Sequence, residues 1–195
     1  MRVSSLKRGV HVIHLYISFD GLRLTYWKGN RVANIAKALG MTVLFSDRKG
    51  LRSSSVRPGR TAFEEVLKTS SVLMITIPLL PSTRNLISTL ELSLMRPDAI
   101  IVNVARGGIV DEEALVKALR EGKVAGAVAD VFLEEPATKE NSPLVKAASE
   151  VGLEGKLVLS PHVAWCARSS IEKLRETVKG NVEGWVRGEP QNLVE

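Results

Sequence analysis

Cysteine is nearly absent: Cys166 is the only one in 195 residues. A disulfide within the chain is therefore excluded, and a reducing compartment is the expected setting. Long apolar runs are missing too. None approaches the ~20 residues that a membrane helix requires, so no membrane partner is expected. Acidic residues are scarce at the start of the chain. Residues 1–31 hold Arg2, Lys7, Arg8, Arg23, Lys28 and Arg31 against Asp20 alone. Five of the six net positive charges thus sit in this segment, and the other 164 residues are close to neutral. A body so balanced offers no basic face to a phosphate backbone, which excludes nucleic acid as the expected partner. A secretory signal fits poorly as well, because the early apolar stretch is short, interrupted by histidine and without a clear cleavage site. The expected location is cytoplasmic, with a mitochondrial presequence as the minor alternative. No metal is expected.

What is present from residue 30 onward is a regular rhythm. NRVANIAKALG places Val32, Ile35, Ala36 and Leu39 on one helical face, and Gly40 supplies a left-handed stop. MTVLFSD reads as a strand, TAFEEVLKTS as a helix, and SVLMITIP as a strand ended by Pro78. STLELSLM opens with a Ser88-x-x-Glu91 capping box. AIIVNV, VAGAVADVF and KLVLSP complete the strands, with the helix DEEALVKALREGK between the first two. Strands that are apolar throughout and alternate with helices predict parallel βαβ units covered on both faces. The expected fold class is α/β: an open, doubly wound parallel sheet of Rossmann type, incomplete at its N-terminal edge, with a C-terminal helix. Residues 137–156 read as a polar loop with a turn or two of helix. The closing segment has a Ser169-x-x-Glu172 box and an apolar stripe of Ile171, Leu174, Val178, Val182 and Trp185. That stripe has two readings: packing on its own domain, or docking on a second domain or subunit.

In open parallel sheets, ligands bind beyond the carboxyl ends of the strands. Asp47, Arg106, Asp130, Glu135 and His162 all fall there or just past it. Each has a plainer explanation. Asp47 would serve as a helix cap or turn former, Arg106 would pair with Asp111 or a carbonyl, Glu135 would be an exposed loop acid, and His162 a satisfied core histidine. Asp130 is the awkward one, since an aspartate inside AVADVF needs strong partners. Five ionisable groups at one edge favour a site. An arginine at a strand end before Gly107 and Gly108 suits carboxylate recognition.

VNVARGGIVDEEAL, AGAVADVFLEEP and LVLSPHVAW resemble the consecutive signatures of the D-isomer-specific 2-hydroxyacid dehydrogenases, and PLLPSTRNLI resembles a loop of the same family. The resemblance covers about residues 29–195. It implies an oxidoreductase that transfers a hydride between NAD(H) and a D-2-hydroxy acid or 2-keto acid, of the glyoxylate or hydroxypyruvate type. Residue by residue, it makes Arg106 the holder of the substrate carboxylate and carbonyl, His162 the acid/base, and Glu135 the acid paired with it. It puts Asp130 near the nicotinamide carboxamide, Asp47 on the adenosine ribose, and Thr83 in the cofactor loop. Gly29, Arg48, Pro78 and Ala105 join the expected cofactor contacts. Asp47 argues for NAD, since a carboxylate repels a 2′-phosphate. Arg48 beside it leaves NADP open. The expected partners are a small 2-hydroxy or 2-keto acid and a second subunit, either a copy of this chain or a full-length paralogue. Trp165 is either a pocket wall or a packing residue.

Two departures qualify the resemblance. Counting back from Gly29, a G-x-G-x-x-G loop needs glycines where Leu24 and Tyr26 stand. The family's substrate lobe is also missing before residue 29. The expected organisation is an atypical segment 1–28, a partial nucleotide domain 29–166, and a helix and tail 167–195. The abrupt change at residue 29 suggests a truncated or mis-joined message, or a diverged splice form. Low activity is expected of this chain alone; a catalytically inactive nucleotide-binding remnant, or a dimerisation partner of full-length paralogues, is the alternative.

Overall fold

The structure is a computed structural model that describes residues 12–16, 23–51 and 53–193. It divides into two compact units, residues 1–161 and 162–195.

The first unit is built on β1 (Val12–Tyr16), α1 (Arg23–Ala38), β2 (Thr42–Phe45), α2 (Phe63–Thr69), β3 (Val72–Ile75), α3 (Thr89–Leu94), β4 (Ile100–Asn103), α4 (Glu112–Arg120), β5 (Gly126–Ala129), α5 (Pro143–Ala147) and β6 (Leu157–Leu159). The six strands form one sheet in the order β2-β1-β3-β4-β5-β6, and every pairing is parallel. Each parallel pair is bridged by a helical crossover, as that geometry demands. Phe63, Leu67, Leu73, Ile101, Ile109 and Leu119 are at most 2% exposed in the core between helices and sheet.

The N-terminal segment corrects the sequence reading in two respects. The apolar stretch that makes a poor signal peptide is β1, and it pairs with both β2 and β3. The N-terminal segment therefore supplies an interior strand, between β2 and β3, where an incomplete sheet is expected. Leu24 and Tyr26, assigned to a glycine loop by counting back from Gly29, lie within the backbone of α1. Residues 17–22, between β1 and α1, lie outside the described residues. Gly29 is a buried position inside the helix. Arg23 to Lys28 contains no helix breaker, so the helix begins earlier than its apolar face suggests.

The caps follow the sequence only in part. The Ser88 and Glu91 pair of the capping box is in place: the Glu91 carboxylate accepts the Ser88 amide at 3.1 Å, and the Ser88 hydroxyl donates to Asp111 Oδ2 at 2.8 Å. Asp111 in turn caps α4 by accepting the Ala114 amide at 3.1 Å. Gly40 and Gly122 close their helices with φ of 77° and 67°.

The second unit is α6 (Arg168–Val186) with its leading turn and returning tail. No side chain caps it: Ala167 holds the N-cap, so the Ser169 box does not open the helix. Leu174, Val178, Val182 and Trp185 are more than half exposed. Gly184 is a requirement rather than only a weakness. A Cβ there would meet the Glu189 carbonyl oxygen at 2.6 Å, and that tail is pinned by the Glu189 amide donating to the Gly184 oxygen at 2.8 Å.

Candidate functional site

Strand register sets the site. Ile75 faces Asn103, Asn103 faces Ala129, and Ala129 faces Leu159. The chain therefore leaves the sheet at one level at Thr76, Val104, Asp130 and Ser160. These are the carboxyl ends of four adjacent strands, where a parallel sheet offers its crevice.

Arg106 stands on a turn that its own sequence braces. Asn103, the last residue of β4 and only 6% exposed, accepts the Ala105 amide at 3.1 Å and donates to the Arg106 carbonyl at 2.9 Å. The Arg106 side chain is exposed and donates from Nη1 to the Ala105 carbonyl at 2.6 Å. Gly107 explains the glycine pair. A Cβ built on it would lie 1.7 Å from the Phe132 carbonyl oxygen and 2.7 Å from the Leu133 nitrogen. Only glycine permits the turn after β4 to touch the backbone after β5. Gly108 then turns through φ 77°.

That contact brings Arg106 and Glu135 onto adjoining turns. Glu135 is exposed, and its Oε1 accepts the Phe132 amide at 3.0 Å. Behind it, Glu112 is 8% exposed and clasps both ends of the loop. It accepts the Leu133 amide at 2.7 Å and the Ser142 hydroxyl at 2.8 Å. Asn103 and Glu112 are absent from the sequence-based set. Asn103 gave a signal, as a polar residue ending a buried strand. Glu112 gave none beyond an ordinary acid in a first helical turn.

Pro78, Thr83, Ala105 and Asp130 line the same edge. The Thr83 hydroxyl turns inward, donating to the Pro78 carbonyl at 2.8 Å and accepting the Leu80 amide at 2.8 Å. It therefore shapes the loop after β3. That loop is tied to the glycine turn: the Asn85 amide donates to the Gly108 carbonyl at 2.8 Å, and the Ile87 amide to the Ile109 carbonyl at 3.2 Å. Asp130 is buried at 3% and accepts the Ser160 hydroxyl, one of the strong partners that a buried carboxylate needs.

Asp47 lies past β2, at the other end of the edge. In sheet order, β1 and β3 separate β2 from β4, so the two sites are about 14 Å apart at ~4.8 Å per strand. That span suits an extended dinucleotide laid across the edge. The Asp47 side chain itself is fully buried. Oδ1 accepts the Arg48 amide at 2.8 Å and Arg57 Nη2 at 2.7 Å, and Oδ2 accepts the Arg57 amide at 2.9 Å. Arg57 Nε adds contacts to both oxygens, at 3.1 and 3.2 Å. Hydrogen bonding from the Arg57 side chain, offset in part by burial, lowers the Asp47 carboxyl to a pKa of about 2. Arg48 is exposed.

His162 begins the second unit. It adopts a left-handed backbone, with φ 55°, a conformation costly for a non-glycine residue. Its carbonyl accepts the Trp165 indole N–H at 2.8 Å. Trp165 thus braces the histidine turn through its polar edge, with about half of its surface exposed. Among the described residues no group of three histidine, cysteine or acidic side chains gathers as a metal site, and no described helix is long and apolar enough to cross a membrane.

Residues 28–164 match the model of the D-isomer specific 2-hydroxyacid dehydrogenase NAD binding domain. The chain belongs to the D-isomer-specific 2-hydroxyacid dehydrogenase family. It is 38% identical over 167 residues to a glycerate dehydrogenase from Methylorubrum extorquens, an alignment covering 86% of this chain and 49% of that one. It is 40% identical over 169 residues to a glyoxylate reductase from Aeropyrum pernix, covering 85% and 48%. Among solved structures, the NAD-complexed D-isomer specific 2-hydroxyacid dehydrogenase from Lactobacillus delbrueckii ssp. bulgaricus superposes with a TM-score of 0.74 at 27% identity, covering 95% of this chain and 56% of that one. A glyoxylate reductase from Paecilomyes thermophila gives 0.69 at 30%, covering 92% and 51%. This member of the dehydrogenase family spans about half the length of the curated relatives it matches. Its NAD-binding domain has the family's parallel sheet, but its Asp47 carboxylate does not stand open as a ribose acceptor.

Proposed function

We propose that this chain is the nucleotide-binding part of an enzyme that moves a hydride between NAD(H) and a D-2-hydroxy acid or its 2-keto acid, of the glyoxylate or hydroxypyruvate type. The observation that carries the reading is the seating of Gly107 on the Phe132 backbone. It fixes a cation and a carboxylate on neighbouring turns at the strand edge. The bound nicotinamide would supply or accept the hydride. Arg106 holds the substrate carboxylate through its planar fork and stabilises charge developing on the keto oxygen. His162 delivers the proton to that oxygen in reduction and removes it in oxidation. Glu135 is its acid partner, favouring the imidazolium and fixing its tautomer. Asp130 and Ala105 border the nicotinamide end, while Pro78 and Thr83 belong to the walls along the cofactor; Gly29, buried inside α1, packs the helix rather than touching the cofactor.

A dehydrogenase of this kind must close a second lobe over its substrate to exclude water. Since the chain spans about half of its relatives, activity by these 195 residues alone is expected to be very low. The second reading is a nucleotide-binding remnant that acts by pairing with a full-length paralogue. The proposed location is cytoplasmic, and the proposed assembly is a homodimer or such a heterodimer. Purified chain mixed with NADH and hydroxypyruvate, followed at 340 nm, separates these readings. Slow turnover abolished by Arg106→Ala and His162→Ala supports the enzyme reading. No turnover together with co-purification of a paralogue supports the remnant. Brisk turnover by the chain alone refutes its dependence on further protein.

A further inference from the structure

A lone carboxylate past β2 would bind the ribose hydroxyls and repel a 2′-phosphate. Asp47 is not alone. Its two oxygens are taken up by the Arg48 amide, the Arg57 amide and the Arg57 guanidinium, and none of its side chain is exposed. A carboxylate offers about four lone-pair positions, so a ribose diol finds no open acceptor there while the pair holds. Parting the pair would strand a buried charge, which is strongly unfavourable. With the pair intact, the negative field that would exclude a 2′-phosphate is neutralised.

The surroundings add positive charge. The Arg57 side chain remains 36% exposed, so its guanidinium is bound yet not hidden. Arg60 lies beside it, donating to the Ser46 carbonyl at 3.4 Å and stacking 5.8 Å from the Phe45 ring centre. Arg48 and Lys49 are exposed, and Lys49 reaches Glu91 Oε1 at 2.7 Å. Among the described residues, Arg48, Lys49, Arg57 and Arg60 thus gather near Asp47 and Glu91 at this end of the sheet. Guanidinium groups suit a phosphate in charge and in planar geometry.

We propose that Arg57 is a cofactor-specificity residue: by occupying Asp47 it makes the adenosine end of the site accept a 2′-phosphate, so that NADP(H) binds at least as well as NAD(H). The inference rests on the nucleotide-binding reading above. Its test needs no turnover. Adenosine 2′,5′-bisphosphate and adenosine 5′-monophosphate are titrated calorimetrically into the whole chain at fixed low salt. The bisphosphate should bind as tightly as the monophosphate or more tightly. Arg57→Ala should swing the affinity ratio at least tenfold toward the monophosphate by freeing the carboxylate. Arg57→Lys, which keeps the charge, should retain most of the wild-type ratio and stands in if the alanine variant fails to fold. Wild-type rejection of the bisphosphate by a hundredfold overturns the proposal, as does a ratio indifferent to Arg57→Ala. Binding of neither nucleotide overturns the nucleotide-binding reading together with it.

Discussion

Asp47 and Glu135 are both carboxylates on loops beyond the sheet, yet the fold treats them oppositely. Asp47 is sealed, with backbone amides and one guanidinium covering it on every side. Glu135 is exposed and accepts the Phe132 amide on the turn adjoining that of Arg106. The contrast separates a charge sealed within a loop from a charge held at the surface. Around Asp47 the ordering groups are two backbone amides and the Arg57 guanidinium, all in direct contact with the carboxylate. Around Glu135 they lie behind the group: the glycine contact at Gly107 and the buried Glu112 clasp.

The hardest test of this contrast is at the glycine contact. Gly107→Ala pushes a methyl into the Phe132 carbonyl, where the atoms it meets are backbone and no flexible side chain can yield. A loss of about 3 kcal/mol or more is expected from such overpacking, read from urea denaturation. A loss below about 1 kcal/mol would break the claim that the two turns are seated on one another.

The next effect belongs to Asp47 and is one of pH. Its carboxyl is held at about 2 in the folded chain, against 3.8 as the ordinary value. The stabilisation is therefore fully present above about pH 4 and is lost as the pH falls toward 2. About 2 kcal/mol should disappear over that window. Asp47→Asn should lack this component when denaturation is followed from pH 5 to pH 2. Identical pH slopes for the two proteins would show that the carboxylate is not sealed. The smallest effect is at Glu135→Gln. The glutamine carbonyl still accepts the Phe132 amide, so unfolding midpoints should correspond to a change within about 0.5 kcal/mol. A larger loss would put Glu135 among the structural carboxylates with Asp47.

These differences mark where sequence reading reaches its limit. The strands of the sheet from MTVLFSD onward are legible because continuous apolar runs with no polar alternation have few alternatives. Arg106 is legible because a strand end followed by two glycines is unusual. The N-terminal strand is not, because Val12–Tyr16 is short and stands beside basic and polar residues; only its pairing with two neighbouring strands gives it a place. Glu112 and Arg57 are equally silent. Each acts on a partner ten or more residues away, Arg57 on Asp47 and Glu112 on Leu133 and Ser142, and no local pattern encodes such a bond. Gly184 was legible only as a helix weakness, since the tail that needs it returns from beyond the helix end.

The amino-acid order by itself determined the alternation of strands and helices, and with it the parallel sheet and the edge on which polar groups collect. Periodicity and chain connectivity are local, and a parallel pairing leaves little choice of crossover. The tertiary structure decided which carboxylate is buried and which stays at the surface. That outcome depends on distances between segments apart in the chain, where one guanidinium at 2.7 Å turns an expected ribose acceptor into the buried member of an ion pair.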